Sequence, residues 1–485
     1  MSLIKKLGGQ TIIYGFSSII GRFLNYLLVP LYTRQFAPDD YGIVTEVYAY
    51  AGFLIVLLTY GMETAFFRFN QKYKGDNLAF SSGLWSLILT SSAFLFFIFV
   101  FITPISELLL YEKFPRYILM LAAIVALDAV TALPFARLRE QEKAMKFASF
   151  KMVNIGVNIL LNLFLILLLP EINNSTPVID YIFIANLAAS AVTMLLLLPE
   201  FRLLKYGFHY SRFKEMLVYS IPLMIAGLAG MVNEMIDRTL LRRLLPYSEE
   251  ENLRLLGIYG ATYKLSILMT LFTQAFRYAA EPIFFKKSDS KDAPEFYALV
   301  LKYFTYFGCI VFLSITLFID QVKFFLGSDF HSGIVIVPIL LLANLFLAMQ
   351  VNLSIWYKIK DKTKIGAMIA IIGASITIVL NLLWIPEMGY VGSAWATLIC
   401  YFVMATLTYF IGKRYYPIPY ELPRIIFSIV FSIMLFLLGK HISGLLPEGV
   451  HLKILMNILL LIFFITVIYI SDKRALSRDI GLKKQ

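Results

Sequence analysis

Residues 365–385, IGAMIAIIGASITIVLNLLWI, run for twenty-one positions without one charged side chain. That length matches the roughly 20 apolar residues a helix needs to cross the hydrocarbon core of a bilayer. A helix of a soluble protein would carry charge on its outward face. Working outward from this stretch, fourteen such segments can be traced: 11–33, 41–67, 80–103, 117–136, 152–169, 179–198, 216–240, 257–285, 298–319, 333–357, 365–385, 392–411, 425–439 and 454–470. The thirteenth is the shortest. Composition agrees: 59% of the 485 residues are hydrophobic, 15% are charged and the mean hydropathy is +0.77. A soluble domain carries about 25% charged residues, and one of this size has too little interior to hide so much apolar surface. The fold expected is all-α and integral to the membrane.

The net charge of +12 raises the question of nucleic acid, and the position of the charges answers it. With the N-terminus inside, segments on the inner side of the fourteen spans hold 29 Lys and Arg, and those on the outer side hold 9. This bias is the positive-inside rule. It predicts a multi-pass protein of the inner (plasma) membrane with both termini cytoplasmic and no nucleic-acid partner. Lys5 and Lys6 precede an apolar run without a small-residue cleavage site, which reads as an uncleaved first span. Cys309 and Cys400 lie inside apolar runs without metal spacing and read as small hydrophobes. His209, His331, His441 and His451 sit at or near loops. There is no glycine-rich phosphate loop, no Gly-x-Ser-x-Gly and no long loop to hold a domain, so function must reside among the helices.

Two halves of the chain resemble each other. Tyr41-Gly42 matches Tyr259-Gly260, Glu63 matches Glu281, and Phe66-Phe67 matches Phe284-Phe285, all without a gap. The first span carries Gly15, Ser18, Arg22 and Asn25, and the seventh carries Gly227, Gly230, Glu234 and Asp237, each set on one helical stripe. Leu161-Asn162-Leu163 before Pro170-Glu171 matches Leu380-Asn381-Leu382 before Pro386-Glu387. Six spans separate each pair, so the repeats share one orientation. That implies two six-helix lobes about a pseudo-two-fold axis along the membrane normal, an architecture of transporters. The expected division is 1–210 for helices 1–6, 211–415 for helices 7–12, and 416–485 for helices 13–14 with a basic cytoplasmic tail.

Charge within the bilayer costs about 2.5–3.5 kcal/mol at the helix centre and marks substrate or ion pathways. The intramembrane candidates are Arg22, Glu46, Glu63, Asp128, Glu234, Asp237, Arg238, Lys264, Arg277 and Glu281. Thr270, Gln274, Arg277 and Glu281 form a stripe on span 8. Glu46, Glu63, Asp128, Glu234, Asp237 and Glu281 are the candidates for gating or coupling. The gap-free repeat sets Glu46 and Lys264 at equal depth near the outer mouth, which predicts that they pair there when the mouth closes. No cofactor or metal is expected; Na+ or H+ is the candidate coupling ion.

The pattern Gly21-Arg22 to Pro30, Pro38-Asp39-Asp40-Tyr41-Gly42 and Gly61-Met62-Glu63 resembles that of polysaccharide and O-antigen flippases. So do Ile221-Pro222 with Asp237-Arg238, Gly257-Ile258-Tyr259-Gly260-Ala261 with Tyr263-Lys264, and Asn381 to Gly389, Gly392 and Ala394. These flippases belong to the multidrug/oligosaccharidyl-lipid/polysaccharide exporter superfamily. The resemblance implies a transporter, not an enzyme, that moves an undecaprenyl-pyrophosphate-linked oligosaccharide to the outer leaflet by alternating access. It implies a cleft lined by spans 1, 2, 7 and 8. Arg22, Lys264 and Arg277 would meet the pyrophosphate, because a guanidinium or ammonium replaces lost hydration. Asn25, Gln274, Tyr259 and Tyr263 would meet the glycan. The bilayer and the lipid-linked oligosaccharide are the expected partners, with a glycan polymerase or glycosyltransferases beside them. A drug/cation antiporter of the same superfamily is the alternative. A membrane-embedded polymerase or ligase is the alternative of another class, and it would need a large outer loop that this sequence lacks.

Overall fold

A computed structural model describes residues 20–73, 77–173, 176, 178–288, 290–445 and 450–482. Side chains are further undescribed at 278, 279, 281, 282, 285, 286, 450 and 474–482. The described residues are helical, with no strand among them. The main helices are α1 (Pro38–Thr59), α2 (Met62–Lys72), α3 (Leu78–Val100), α4 (Pro115–Glu140), α5 (Ala144–Leu163), α6 (Asp180–Leu197), α7 (Tyr210–Leu244), α8 (Glu249–Lys287), α9 (Ala293–Thr316), α10 (Val337–Leu353), α11 (Thr363–Met388), α12 (Tyr390–Tyr415), α13 (Leu422–Leu445) and α14 (Val450–Leu482). Thirteen described segments are long and apolar enough to cross a membrane, α1 and α2 together making one. The first expected span, 11–33, lies outside the described residues over 11–19. Its described part is helical over 20–26 and again over Val29–Gln35, with a turn at Leu27-Leu28 just before Pro30. Proline has no N–H and clashes with the preceding turn, which accounts for the break there.

Two expectations are corrected. The thirteenth span is not short: α13 has 24 residues, about 36 Å of helix. The second span is not continuous. Tyr60 and Gly61 have φ of 33° and 72° and separate α1 from α2. A Cβ on Gly61 would lie 3.1 Å from the Ser220 carbonyl oxygen. Left-handed backbone and close approach both favour glycine at this break.

By internal contacts the chain forms two units, Met1–Ala261 with Ala370–Ser393, and Thr262–Ile369 with Ala394–Gln485. In the first unit α4 packs on α1, α3 and α6, α5 packs on α6, and α7 packs on α1, α2 and α3. One apolar core gathers Val47, Leu121, Ala129 and Phe183. Another gathers Met62, Phe66, Phe80, Leu133 and Met216. The start of α8 crosses α1 at glycines: a Cβ on Gly257 would lie 1.7 Å from the Pro38 carbonyl oxygen, and one on Gly42 2.1 Å from that of Leu253. Small residues let helices meet backbone to backbone in lipid, which gives Tyr41-Gly42 and Gly257 a structural reason. In the second unit α9 packs on α10, α13 and α14. The Trp356 indole donates to the Thr408 carbonyl at 3.0 Å and stacks on Tyr415.

Candidate functional site

Helix α5 of the first unit carries Lys151, Asn154, Asn158 and Asn162 at i, i+3, i+7 and i+11, one face of a helix. Asn162 is fully buried. Its amide donates to the Asn158 carbonyl at 2.7 Å, and its Oδ1 accepts the Tyr32 hydroxyl at 2.8 Å. Asn158 donates to Asn25 Oδ1 at 3.2 Å, and Asn154 donates to Thr193 Oγ1 at 2.8 Å. Just beyond Asn162 the helix widens into a π-turn over Phe164–Leu168, ahead of Pro170. The missing N–H of Pro170 explains the rewinding, and such turns recur at functional sites.

Helix α6 answers with its own polar stripe, Asn186, Ser190 and Thr193. Asn186 donates to the Tyr48 hydroxyl at 2.7 Å, and Ser190 donates to Asp128 Oδ1 at 2.8 Å. Asp128 is the fourteenth of the 26 residues of α4, so it sits near mid-membrane, yet its side chain is exposed. A carboxylate facing lipid there is unfavourable, and this one is met within the protein by the Ser190 hydroxyl and the nearby Lys151. Arg22 and Asn25 are likewise exposed. Lys151 lies within electrostatic reach of Asp128 and Glu63, with its ammonium 4.1 Å from the Phe135 ring centroid. Arg139 pairs with Glu63. The result is a polar seam through the first unit, from Tyr32 and Asn25, along α5 and α6, to Glu63 and Arg139.

The other acids lie outside this seam. Glu46 is fully buried and accepts from Arg242, from Tyr111 at 2.8 Å and from Tyr50 at 2.7 Å. Arg242 also donates to the carbonyls of Leu109 and Leu110 at 3.3 and 2.7 Å and to Glu249 at 2.7 Å. Leu110 adopts φ 62° where its carbonyl turns to the guanidinium. This corrects two sequence-based expectations. Arg242 is a buried structural cation, not an outer-loop charge, and Glu46, expected to stand ready for Lys264, already holds Arg242, Tyr111 and Tyr50. Asp237 and Arg238 are also buried; Arg238 donates to Asp237 at 2.9 Å, and the Tyr259 hydroxyl donates to Asp237 as well. Glu234 is exposed, and its backbone carbonyl accepts from Arg238.

In the second unit Lys264 and Gln274 are half-buried and Arg277 is exposed, all on α8. The helix is continuous between Lys264 and Arg277, which sets them about 20 Å apart and on nearly opposite faces. One pyrophosphate therefore does not meet both at once. Arg277 lines a small cavity with Thr273, Asn352 and Lys358. Glu281 lies in α8, but its side chain falls outside the described residues. No group of three His, Cys, Asp or Glu among the described residues is arranged to hold a metal.

The family model described as polysaccharide biosynthesis protein matches residues 7–288. The chain belongs to that family. All eleven candidate site residues, Arg22 to Glu281, fall within the matched stretch. No curated protein matches the chain by sequence. Among solved structures, the lipid II flippase MurJ in an inward closed conformation has a TM-score of 0.75 at 15% identity, over 95% of this chain and 99% of that one. An inward-facing multidrug resistance MATE family transporter of the MOP superfamily has a TM-score of 0.66 at 13% identity, over 81% and 93%. An outward-facing MATE transporter has 0.58 at 16%, over 84% and 95%. These likenesses show that this polysaccharide biosynthesis family member shares its fold with MurJ and the MATE structures. The sequence analysis named Asn25 and Asp128 as candidates but not Asn158 and Ser190, which bond them.

Proposed function

We propose that this chain moves an undecaprenyl-pyrophosphate-linked oligosaccharide from the inner to the outer leaflet by alternating access. The observation that carries the proposal is the polar seam of the first unit, in a chain of the polysaccharide biosynthesis family. Glycan hydroxyls need donors and acceptors to replace water, and Asn25, Asn154, Asn158 and Lys151 supply both at membrane depth. An antiporter for apolar cations would gain little from a stripe of amides. Arg22 serves the pyrophosphate in the first unit. Lys264 and Arg277, at different depths on α8, serve it as successive stations, with Gln274 between them on the glycan. Asp128, Glu234 and Asp237 are the acids we assign to coupling with Na+ or H+, and Glu63 and Glu281 to the inner gate. In this reading the protein works in the inner membrane with its termini cytoplasmic, next to the glycosyltransferases and polymerase that make and use its cargo.

The test is a cell that depends on this protein for surface glycan. Arg22→Ala, Lys264→Ala and Arg277→Ala, each expressed at normal level, are expected to lower surface glycan at least tenfold while lipid-linked precursor accumulates. Undiminished glycan in all three removes the assignment of the cations.

A further inference from the structure

On the second unit, away from every residue assigned to transport, α9 and α14 enclose a groove of about 630 Å³. Ligand sites commonly range over about 300–1,000 Å³. Its wall is apolar along most of its length, with Phe307, Ile310, Phe464, Ile465 and Ile468, and Phe307 and Ile465 are about half exposed, at 50% and 44%. One end is polar: Tyr303, Tyr306, Asp472 and Lys473. From Phe464 to Lys473 the groove follows ten residues of α14, about 14 Å from first to last. That is close to half of the roughly 30 Å hydrocarbon core. The groove therefore spans one leaflet and stops.

The polar end is built. Lys302 of α9 is buried at 3% exposure, and its ammonium bonds Asp472 at 2.8 Å and Glu421 at 2.9 Å. The Tyr303 hydroxyl donates to Asp472 at 2.6 Å. Arg424 pairs with Glu421 and lies 3.9 Å from Asp472. Both carboxylates are thus consumed by Lys302, Tyr303 and Arg424, while Lys473 is exposed at the groove mouth. Three cations stand against two carboxylates, and the excess charge lies at the end that the loop-charge bias assigns to the cytoplasm. Anionic headgroups of the inner leaflet are attracted to such a site.

We infer that this groove is a binding site for one anionic glycerophospholipid of the inner leaflet, with an acyl chain against Phe307, Ile310 and Ile468 and the phosphate at Lys473. Its one-leaflet length suits an acyl chain and leaves a long polyprenyl tail without room. The occupant would pin α14 to α9 and so fix the C-terminal helix pair that the repeat does not account for.

The test is native mass spectrometry of the full chain released in mild detergent, with phosphatidylglycerol, phosphatidylethanolamine or a polyprenyl phosphate added singly. Two variants remove different features: Lys473→Glu reverses the exposed charge, and Ile310→Trp fills the groove. Lys453→Glu, at the other end of α14, is the control. The expected result is one retained phosphatidylglycerol on the unaltered chain and on the control, with occupancy at least tenfold lower in both groove variants. Phosphatidylethanolamine is expected to bind more weakly, and polyprenyl phosphate not to displace phosphatidylglycerol. Equal occupancy in Lys473→Glu, an exposed change compatible with folding, would overturn the inference. So would displacement by polyprenyl phosphate, which would give the groove to the transported lipid.

Discussion

Asn162 on α5 and Asn381 on α11 occupy matching places in the internal repeat. Both are fully buried, and each donates its amide to the carbonyl four residues back at 2.7 Å. Around them the two helices differ. Where α5 has Lys151, Asn154 and Asn158, the repeat register gives α11 Ala370, Gly373 and Thr377. A second pair behaves the same way. Tyr60-Gly61 breaks the helix between α1 and α2, whereas the matching Tyr278-Ala279 lies in unbroken α8. Glu46 is sealed against Arg242, whereas the matching Lys264 is only half-buried. The repeat thus retains the buried asparagine and its bond to the preceding turn, while the helix break, the buried acid and the polar face of α5 belong to the first half alone. Of the two helices, α5 carries the polar face, and it is the one to which we assign the path for polar cargo.

The largest effect should come from the sealed pair. Removing one partner of a buried ion pair leaves an uncompensated charge and costs about 3–5 kcal/mol. Arg242→Ala is expected to lower stability by that amount in thermal or denaturant unfolding in detergent, while Lys264→Ala changes it by well under half as much. Equal losses would erase the contrast between Glu46 and its repeat partner.

Next come the asparagines. Asn162→Ala strips partners from Tyr32 and from the Asn158 carbonyl, and an orphaned buried polar group costs about 1–3 kcal/mol. Asn381→Ala removes only the bond to Thr377 among the described contacts, so its loss should fall at the low end of that range. A larger loss at Asn381 would reverse the comparison. Gly61→Ala is expected to cost about 1–2 kcal/mol from left-handed backbone alone, shown as a lower unfolding midpoint with the helix content unchanged. No loss would mean that the break relaxes into continuous helix.

Much of this was legible beforehand, for physical reasons. Apolar runs near twenty residues and the loop-charge bias report directly on the bilayer, so the spans and the repeat could be traced. Intramembrane acids stand out because they are rare, so Glu46, Asp128 and Asp237 could be singled out. Pairing was not legible. Arg242 ends an apolar run and looks like any interfacial cation; only folding brings it to Glu46, 196 residues away in sequence. The seam was missed for another reason. Asn, Ser and Thr lower hydropathy too little to interrupt a span, so Asn154, Asn158, Ser190 and Thr193 were hidden within apolar runs. The spacing of Asn154 and Asn158 on α5 is nonetheless the one-face pattern that Arg22 and Asn25 also show. The break at Gly61 needed the Ser220 carbonyl beside it, a contact no local pattern announces.

The most direct test of the central claim uses purified protein in liposomes carrying a fluorescent undecaprenyl-pyrophosphate oligosaccharide, with transfer between leaflets followed by quenching from outside. Lys151→Ala with Asn154→Ala and Asn158→Ala gives α5 a lining close to that of α11; Gly373→Ala with Thr377→Ala alters α11 at the matching places. The account predicts transfer by the unaltered protein well above protein-free liposomes. It predicts a rate at least tenfold lower for the α5 variant, equivalent to about 1.4 kcal/mol in the barrier, and a rate within twofold of the unaltered protein for the α11 variant. Equal rates for the two variants, or no transfer above empty liposomes by the unaltered chain, would contradict it.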